Sequence, residues 1–177
     1  SANRDEVSVA GNFTGISILG SRVQSLGLGG ITLAGTGGDG TTGTDFAYSG
    51  FTNPSSNGIR LDGGTVISSS DSSTNDFGIE LYGSGGGGTS DSVGIVIAGA
   101  DTSVSSAGRS VLIEGFGGGQ STGQRNRGIL FTGGLVQGSN NANITLSGEG
   151  GSGLSENDGI QLNGNARVQA EDGAIVL

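Results

Sequence analysis

The chain contains no cysteine, histidine, lysine, methionine or tryptophan among its 177 residues, and its only proline is Pro54. Without cysteine there is no disulfide framework and no thiolate metal site. Without histidine the commonest general base and metal ligand is missing. A single proline excludes collagen, although glycine accounts for 40 residues. We therefore expect no cofactor, no bound metal and no enzymatic activity.

Positive charge is also scarce, since seven arginines stand against 16 acidic residues and give a net charge of −9. Nucleic acids and anionic membranes are bound through basic patches, so this balance disfavours both as partners. No run of 18 apolar residues occurs, and the sequence predicts no membrane insertion. The chain starts at Ser1 without an initiator methionine, which we interpret as a processed product or an excised segment.

What the chain has in abundance is one repeated phrase: glycine, a β-branched or small apolar residue, any residue, an aliphatic residue, any residue, glycine. Apolar and polar residues alternate within each copy, as is typical of a half-buried strand. Repetition at a fixed spacing indicates a repeat architecture. The copies are GISILG (15–20), GITLAG (30–35), GIRLDG (58–63), GIELYG (78–83), GIVIAG (94–99), SVLIEG (110–115), GILFTG (128–133), NITLSG (143–148), GIQLNG (159–164) and the shortened GAIVL (173–177).

Most copies follow one another after 15–20 residues, with one longer gap of 28. This spacing is too short for a crossover helix between parallel strands, and no two-residue hairpin turns lie between the copies. We therefore predict an all-β protein, a right-handed parallel β-solenoid of one domain over residues 1–177. With one phrase per coil, and a weak copy at 7–11, it would have ten to eleven coils and a length of roughly 50 Å.

The predicted coils alternate between two kinds. A short strand with an inward valine follows every copy of the first kind, and a glycine-rich run follows each of the four complete copies of the second kind. The repeating unit is thus a pair of coils, with spacings of 43, 36, 34 and 31 residues. Glycine in the runs permits positive φ and close approach of neighbouring coils. The predicted inward valines are Val23, Val66, Val104, Val136 and Val168.

The longest gap, 36–57, is predicted to be a lateral loop. Its aromatic residues Phe46, Tyr48 and Phe51 are expected to cover a gap in the core or, alternatively, to form a ligand platform. Within it, GGDGTTGTD (37–45) is similar to a glycine–aspartate motif that binds Ca²⁺ between solenoid turns. That motif needs tandem copies, and it occurs once here. We interpret it as a flexible corner.

Acidic residues were examined as catalytic candidates because some β-helices cleave polysaccharides with clustered carboxylates. Asp62 and Glu80 are predicted to point outward from different coils, with Arg60 nearby, while Asp101 and Glu114 are scattered. We interpret these residues as a solvated face. The outward positions also lack the regular threonine ladder of ice-binding solenoids.

The Gly-Ile-x-Leu-x-Gly phrases, Gly-Gly corners and Ser/Thr/Asn-rich connections resemble the repeat regions of large secreted bacterial exoproteins. These are the filamentous-haemagglutinin-like adhesins and the long repeat proteins of cyanobacteria. The resemblance covers nearly the whole chain and is compositional. It implies a right-handed β-solenoid that is secreted or displayed at the cell surface as a stalk, adhesin or fibre, with no catalytic residues. The segment 53–59 differs by two extra residues from the Asn-Pro-Asn-Gly-Ile motif of that family's secretion domain, so we do not assign the segment to such a domain.

The ends of the solenoid are the predicted functional site. Neither end shows a capping helix, lysine or proline, and an exposed flat strand edge promotes association with another strand. We predict an assembly interface formed by Val7 and Val9 at one end and by Ala174, Ile175 and Leu177 at the other. Copies of the chain would stack head-to-tail into an open homopolymer.

Two other functions remain open from the sequence. The chain could be an excised stalk segment of a large adhesin, in which neighbouring repeats of the same chain cover its ends. Alternatively, it could be a polysaccharide-binding or polysaccharide-degrading β-helix, with a cell-surface polysaccharide as its partner.

Overall fold

The computed structural model describes residue 11 and residues 13–38, 56–70 and 77–177. All regular secondary structure in these residues is β-strand, as the sequence predicts. The strands are β1 (Ile16–Leu19), β2 (Arg22–Ser25), β3 (Ile31–Thr36), β4 (Ile59–Asp62), β5 (Val66–Ser69), β6 (Phe77–Ser84), β7 (Ile95–Ala98), β8 (Ser103–Ala107), β9 (Ser110–Phe116), β10 (Ile129–Thr132), β11 (Leu135–Ser139), β12 (Ile144–Glu149), β13 (Ile160–Asn163), β14 (Arg167–Ala170) and β15 (Ile175–Val176).

The strands form three parallel sheets of five strands each. Sheet 1 runs β1-β4-β7-β10-β13, sheet 2 runs β2-β5-β8-β11-β14, and sheet 3 runs β3-β6-β9-β12-β15. The chain therefore passes through the three sheets in the same order five times, and each passage is one solenoid turn. Turn 1 contains β1–β3 and turn 5 contains β13–β15. The predicted all-β parallel β-solenoid is confirmed.

The predicted count of ten to eleven coils is wrong, because two phrases belong to one turn. Phrases of the first kind form sheet 1, those of the second kind form sheet 3, and the short strands between them form sheet 2. Three strands are needed to close a cross-section around a core, whereas one phrase supplies a single side. Five turns at a strand spacing of ~4.8 Å give a stack of roughly 20 Å, not 50 Å.

The core consists of inward side chains that stack in ladders along the solenoid. Each fully buried aliphatic side chain contributes roughly 1.5–3 kcal/mol to folding, and Phe131 is the largest fully buried residue. The ladders are Ile16-Ile59-Ile95-Ile129-Ile160, Ile18-Leu61-Ile97-Phe131-Leu162, Val23-Ile67-Val104-Val136-Val168, Ile31-Ile79-Val111-Ile144-Ile175 and Leu33-Leu81-Ile113-Leu146.

One of the five predicted inward valines is wrong. Ile67, not Val66, pairs with Val23 and Val104 and is fully buried. Val66 is aligned instead with Arg22 in turn 1 and is only half-buried. Both residues are β-branched, so composition does not distinguish them. The inward residue is the second residue of every strand in sheet 2, and that register decides between the two.

Glycines flank the phrases because the backbones of sheets 3 and 1 meet between successive turns. A Cβ atom added to Gly128 would lie 2.5 Å from the amide nitrogen of Glu149, 2.5 Å from the carbonyl oxygen of Gly159 and 2.6 Å from that of Gly115. Any side chain there would collide with backbone on several sides. The glycine-rich runs continue this contact, since a Cβ on Gly118 would clash with the carbonyl oxygen of Gly86. The predicted close approach of neighbouring turns is confirmed.

The predicted lateral loop at 36–57 lies mostly outside the described residues, and so do its three aromatic residues. Of the run at 37–45, the structure describes only Gly37 and Gly38, which adjoin the end of β3. The calcium motif therefore stays an unsupported alternative. Within the part of the chain that the structure describes, no helix is long and apolar enough to cross a membrane.

Candidate functional site

Exposed apolar side chains concentrate at the two ends of the solenoid. Of the ten exposed large hydrophobic residues among those described, only Phe116 belongs to the three middle turns, and it is 46% exposed. The other nine lie in turn 1, in turn 5 or in the segments leading into them. The two end turns therefore carry most of the exposed apolar side chains: Leu162 and Ile175 continue core ladders, whereas Leu19 and Val176 stand at outward positions. These nine are Phe13, Leu19, Leu26, Leu28, Leu154, Leu162, Ile175, Val176 and Leu177.

The predicted C-terminal interface residues lie on the outer turn of the stack. Ile175 pairs with Ile144, and the carbonyl oxygen of Ala174 accepts the Ile144 amide at 2.9 Å. The Ala174 amide donates to Oδ1 of Asn143 at 2.8 Å. Ile175 is nevertheless 43% exposed and Leu177 is 68% exposed. Ile175 thus extends a core ladder from turn 4 into turn 5. Beyond turn 5, no described residue occupies the next position of that ladder.

The strands β13, β14 and β15 are edge strands, since each closes the order of its sheet. An edge strand presents backbone N–H and C=O groups that can pair with another strand. Natural edges are commonly protected by lysine, proline or inward-pointing charge. On these three strands the only charged residue is Arg167. The end face of turn 5 therefore combines open backbone with apolar side chains.

Among the described residues, the opposite edge is formed by β1, β2 and β3 of turn 1, and the only charged residue on these three strands is Arg22. Val7 and Val9, the predicted residues at this end, lie outside the described residues, and their part of the interface stays a prediction. The inward residues of turn 1 are partly buried and pack against the core. They are Ile16, Ile18, Val23 and Leu33.

Turns 1 and 5 have nearly identical strands in sheet 2, which lie outside the glycine phrases. Strand β2 reads Arg-Val-Gln-Ser (22–25), and β14 reads Arg-Val-Gln-Ala (167–170). The two strands occupy the two edges of sheet 2. The signal was present in the sequence, but it lies between the phrases rather than within them.

The structure separates the two carboxylates that were considered as a catalytic pair. Asp62 belongs to β4 in sheet 1, where its Oδ2 lies 2.6 Å from Nη2 of Arg60. Glu80 belongs to β6 in sheet 3 and accepts hydrogen bonds from Oγ1 of Thr32 at 3.0 Å and from the hydroxyl of Tyr82 at 2.8 Å. The bond to Glu80, with help from burial, raises the pKa of Tyr82 to about 12.

The outer face of sheet 3 carries three carboxylates, on neighbouring turns. Glu114 is aligned with Tyr82 of the preceding turn, and Glu149 is aligned with the exposed ring of Phe116. From Glu80 to Glu114, and again from Glu114 to Glu149, the position moves by one turn and by two residues along the strand. The backbone distance between successive glutamates is therefore roughly 8 Å. Within the described ranges, no group of three acidic residues could hold a metal ion.

A polar ladder fixes the register of turns 3 to 5 beside the glycine-rich runs. Arg125 forms a bidentate pair with Asp91, with both N–O distances at 2.8 Å, and this hydrogen bonding raises the pKa of Arg125. Arg127 lies 3.1 Å from Glu156. The buried side chain of Asn126 accepts the Ser92 amide at 3.1 Å. These contacts connect successive turns, and we assign them a structural role.

Comparisons of the chain with protein-family models, with curated proteins and with solved structures found no match. The end faces and the surface chemistry of the solenoid itself are therefore the features that indicate a function.

Proposed function

We propose that the protein is a structural subunit of an extracellular fibre, whose copies stack head-to-tail through turn 5 of one copy and turn 1 of the next. The observation that carries this proposal is that, among the described residues, exposed apolar side chains concentrate on the two end turns, whose strands are the edges of all three sheets. Burying such surface favours association, since apolar area removed from water contributes about 25 cal/mol per Å² before the entropic cost of association is subtracted. Pairing the edge strands would also satisfy their open backbone groups.

The ladder residues support a second copy as the occupant of the end face. If turn 1 of another copy follows turn 5 in the register that relates all internal turns, every core ladder continues with an aliphatic contact. Strand β14 then pairs with the similar strand β2, and Gln169 lies beside Gln24. The expected core contacts are Ile160 with Ile16, Leu162 with Ile18, Val168 with Val23, and Ile175 with Ile31.

The proposal includes a location outside the cell or at its surface. The resemblance of the phrases and glycine corners to the repeat regions of secreted bacterial exoproteins supports it. The proposed role is mechanical rather than catalytic, because the recurrent feature of the chain is a stacking unit and the ion pairs Arg60–Asp62, Arg125–Asp91 and Arg127–Glu156 connect residues within or between turns.

Sedimentation velocity over a concentration series tests the proposal. The chain is expected to form oligomers of increasing length, and Leu162→Glu should weaken association because it places a charge in the junction. Phe116→Glu is the matched control, since Phe116 is similarly exposed, at 46% against 43%, but lies on the side of the solenoid. A chain that stays monomeric at high concentration, or equal effects of the two substitutions, would contradict homopolymer assembly.

The same end faces favour the stalk-segment alternative, in which further turns of one longer chain cover them. A coding frame that continues past Leu177 with the same phrases would identify this arrangement. The end-face contacts would then be made within one chain, and the 1–177 chain would still expose an adhesive edge.

Polysaccharide binding is the second candidate function, and the outer face of sheet 3 favours it. Phe116 offers an exposed ring, and Glu114 and Tyr82 lie close by in register. Affinity electrophoresis in gels containing neutral or anionic polysaccharides would reveal retardation. Binding that survives Phe116→Ala unchanged would argue against this face.

A further inference from the structure

Each end turn of the solenoid has one exposed arginine in sheet 2, and neither has an acidic partner among the described residues. Arg22 begins β2 in turn 1 and Arg167 begins β14 in turn 5, and both are exposed. Within the described residues, neither lies within ion-pairing distance of an acidic side chain, whereas three other arginines do. The positions aligned between them in turns 2 to 4 are uncharged: Val66, Ser103 and Leu135.

Head-to-tail stacking brings these two arginines together. In the internal register, Arg167 of one copy becomes the neighbour of Arg22 of the next copy, one strand spacing of ~4.8 Å away. Two like charges about 5 Å apart in a water-like dielectric weaken association roughly fourfold. Ordinary salt screens a pair this close only weakly, since the screening length is about 10 Å at 0.1 M. The junction therefore has a specific electrostatic penalty that no internal turn shares.

We propose that stacking creates a binding site for a divalent oxyanion, such as a sulfate or phosphate group, between Arg167 of one copy and Arg22 of the next. This inference rests on the proposed head-to-tail assembly. Guanidinium groups bind such oxyanions through paired, charge-assisted hydrogen bonds. One anion can therefore convert the repulsion into a bridge across the junction.

The neighbours of Arg167 on its own copy are mostly small. They include Gly134, Gly164 and Ala166, which line a groove of about 460 Å³ that runs from Arg167 back along the corner of sheets 1 and 2 towards turn 3. The nearest acidic residue along the chain is Glu171, beyond the far end of β14 and four residues away. That separation is roughly 13 Å in an extended strand.

The test compares association of the 1–177 chain and its Arg167→Gln variant in sodium sulfate and in sodium chloride at equal ionic strength. Sulfate strengthens apolar burial in general by exclusion from protein surface, and both proteins should show that effect. The native chain should show a further tightening of at least fourfold. Equal responses of the two proteins would overturn the anion site.

Variants at both arginines separate this site from the assembly itself. In sodium chloride, Arg22→Gln and Arg167→Gln should each tighten association about fourfold, and the double variant should tighten it no further, because either change removes the same pair. Association with the same affinity in all four proteins overturns the arginine contact but leaves head-to-tail stacking intact. No association of any of them, in either salt, overturns both proposals.

A free anion and a sulfate ester on a polymer offer the same chemistry. Dextran sulfate, with unsulfated dextran as its control, identifies the second source, and inorganic sulfate identifies the first. A response of the native chain that is lost in Arg167→Gln supports the site with whichever probe produces it. A response to neither probe contradicts it.

Discussion

Replacing Gly128, which immediately precedes β10, by alanine should separate sheets 3 and 1 where the backbones of turns 3, 4 and 5 meet. The added methyl group would lie 2.5–2.6 Å from backbone atoms of Glu149, Gly159 and Gly115, where normal contacts exceed 3.4 Å. Backbone cannot rotate away as a side chain can. We therefore expect a cost near the upper part of the range for overpacking, about 3 kcal/mol.

Urea denaturation followed by far-UV circular dichroism measures this cost. With an m-value of about 2 kcal/mol/M, typical of a small protein, the midpoint should fall by about 1.5 M. Gly27→Ala is the matched control, because an added Cβ there has no atom within 4 Å. Its midpoint should change little or rise slightly, since alanine restricts the unfolded chain. Equal midpoints for the two variants would refute the argument that backbone contact between sheets requires these glycines.

Ile67→Ala should lower the free energy of unfolding by about 2–4 kcal/mol and Val66→Ala by under 1 kcal/mol, because only Ile67 is buried; urea midpoints in the opposite order would contradict the register of sheet 2. Phe131→Ala should cost about 3–5 kcal/mol in the same assay, because it empties the largest buried position; a cost below about 1 kcal/mol would contradict a well-packed core. In an ultraviolet titration, Tyr82 should ionise near pH 12, and Glu80→Gln should bring its pKa down towards 10. Since the pKa of Tyr82 is raised in the folded state, its hydrogen bond to Glu80 stabilises the fold below pH 10, and this contribution is lost as pH rises through 12. If Tyr82 titrated at the same pH in Glu80→Gln, the hydrogen bond to Glu80 would not be the cause of the raised pKa.

The β-solenoid could be predicted from the sequence because its signals are local. Alternation within each phrase predicts strands, and the short spacing excludes crossover helices. The number of coils could not be read in the same way. A phrase supplies one side of a turn. Only the pairing of Ile16 with Ile59, rather than with Ile31, shows that two other strands intervene before the chain returns to the same sheet.

Part of the candidate site was also accessible from the sequence. The shortened last phrase predicts an open strand, and Ile175 and Leu177 are exposed on the last turn. The relation between Arg22 and Arg167 was not accessible, because it depends on the register of sheet 2 across five turns. Val66 is a second example of a register that composition does not determine. Val66 and Ile67 are adjacent and both β-branched, and a shift of one residue exchanges which of the two faces the core.

The central claim, that turn 5 of one copy stacks on turn 1 of another in register, is tested most directly by an engineered disulfide. Gln24 and Gln169 stand at aligned outward positions of β2 and β14, four strand spacings apart within one chain, or roughly 19 Å. That distance far exceeds the ~7 Å limit for a disulfide, whereas stacked copies would bring the two positions to about 4.8 Å. The native chain has no cysteine to interfere.

Under mild oxidation, the double variant Gln24→Cys, Gln169→Cys should produce a ladder of covalent oligomers on a non-reducing gel. Each single variant can form dimers at most. The pair Gln24→Cys, Ser105→Cys is the matched control, because Ser105 lies in the same outward row but on the middle turn. A ladder confined to the first double variant is the result predicted by in-register head-to-tail stacking. No ladder, or the same ladder from the control pair, would contradict it.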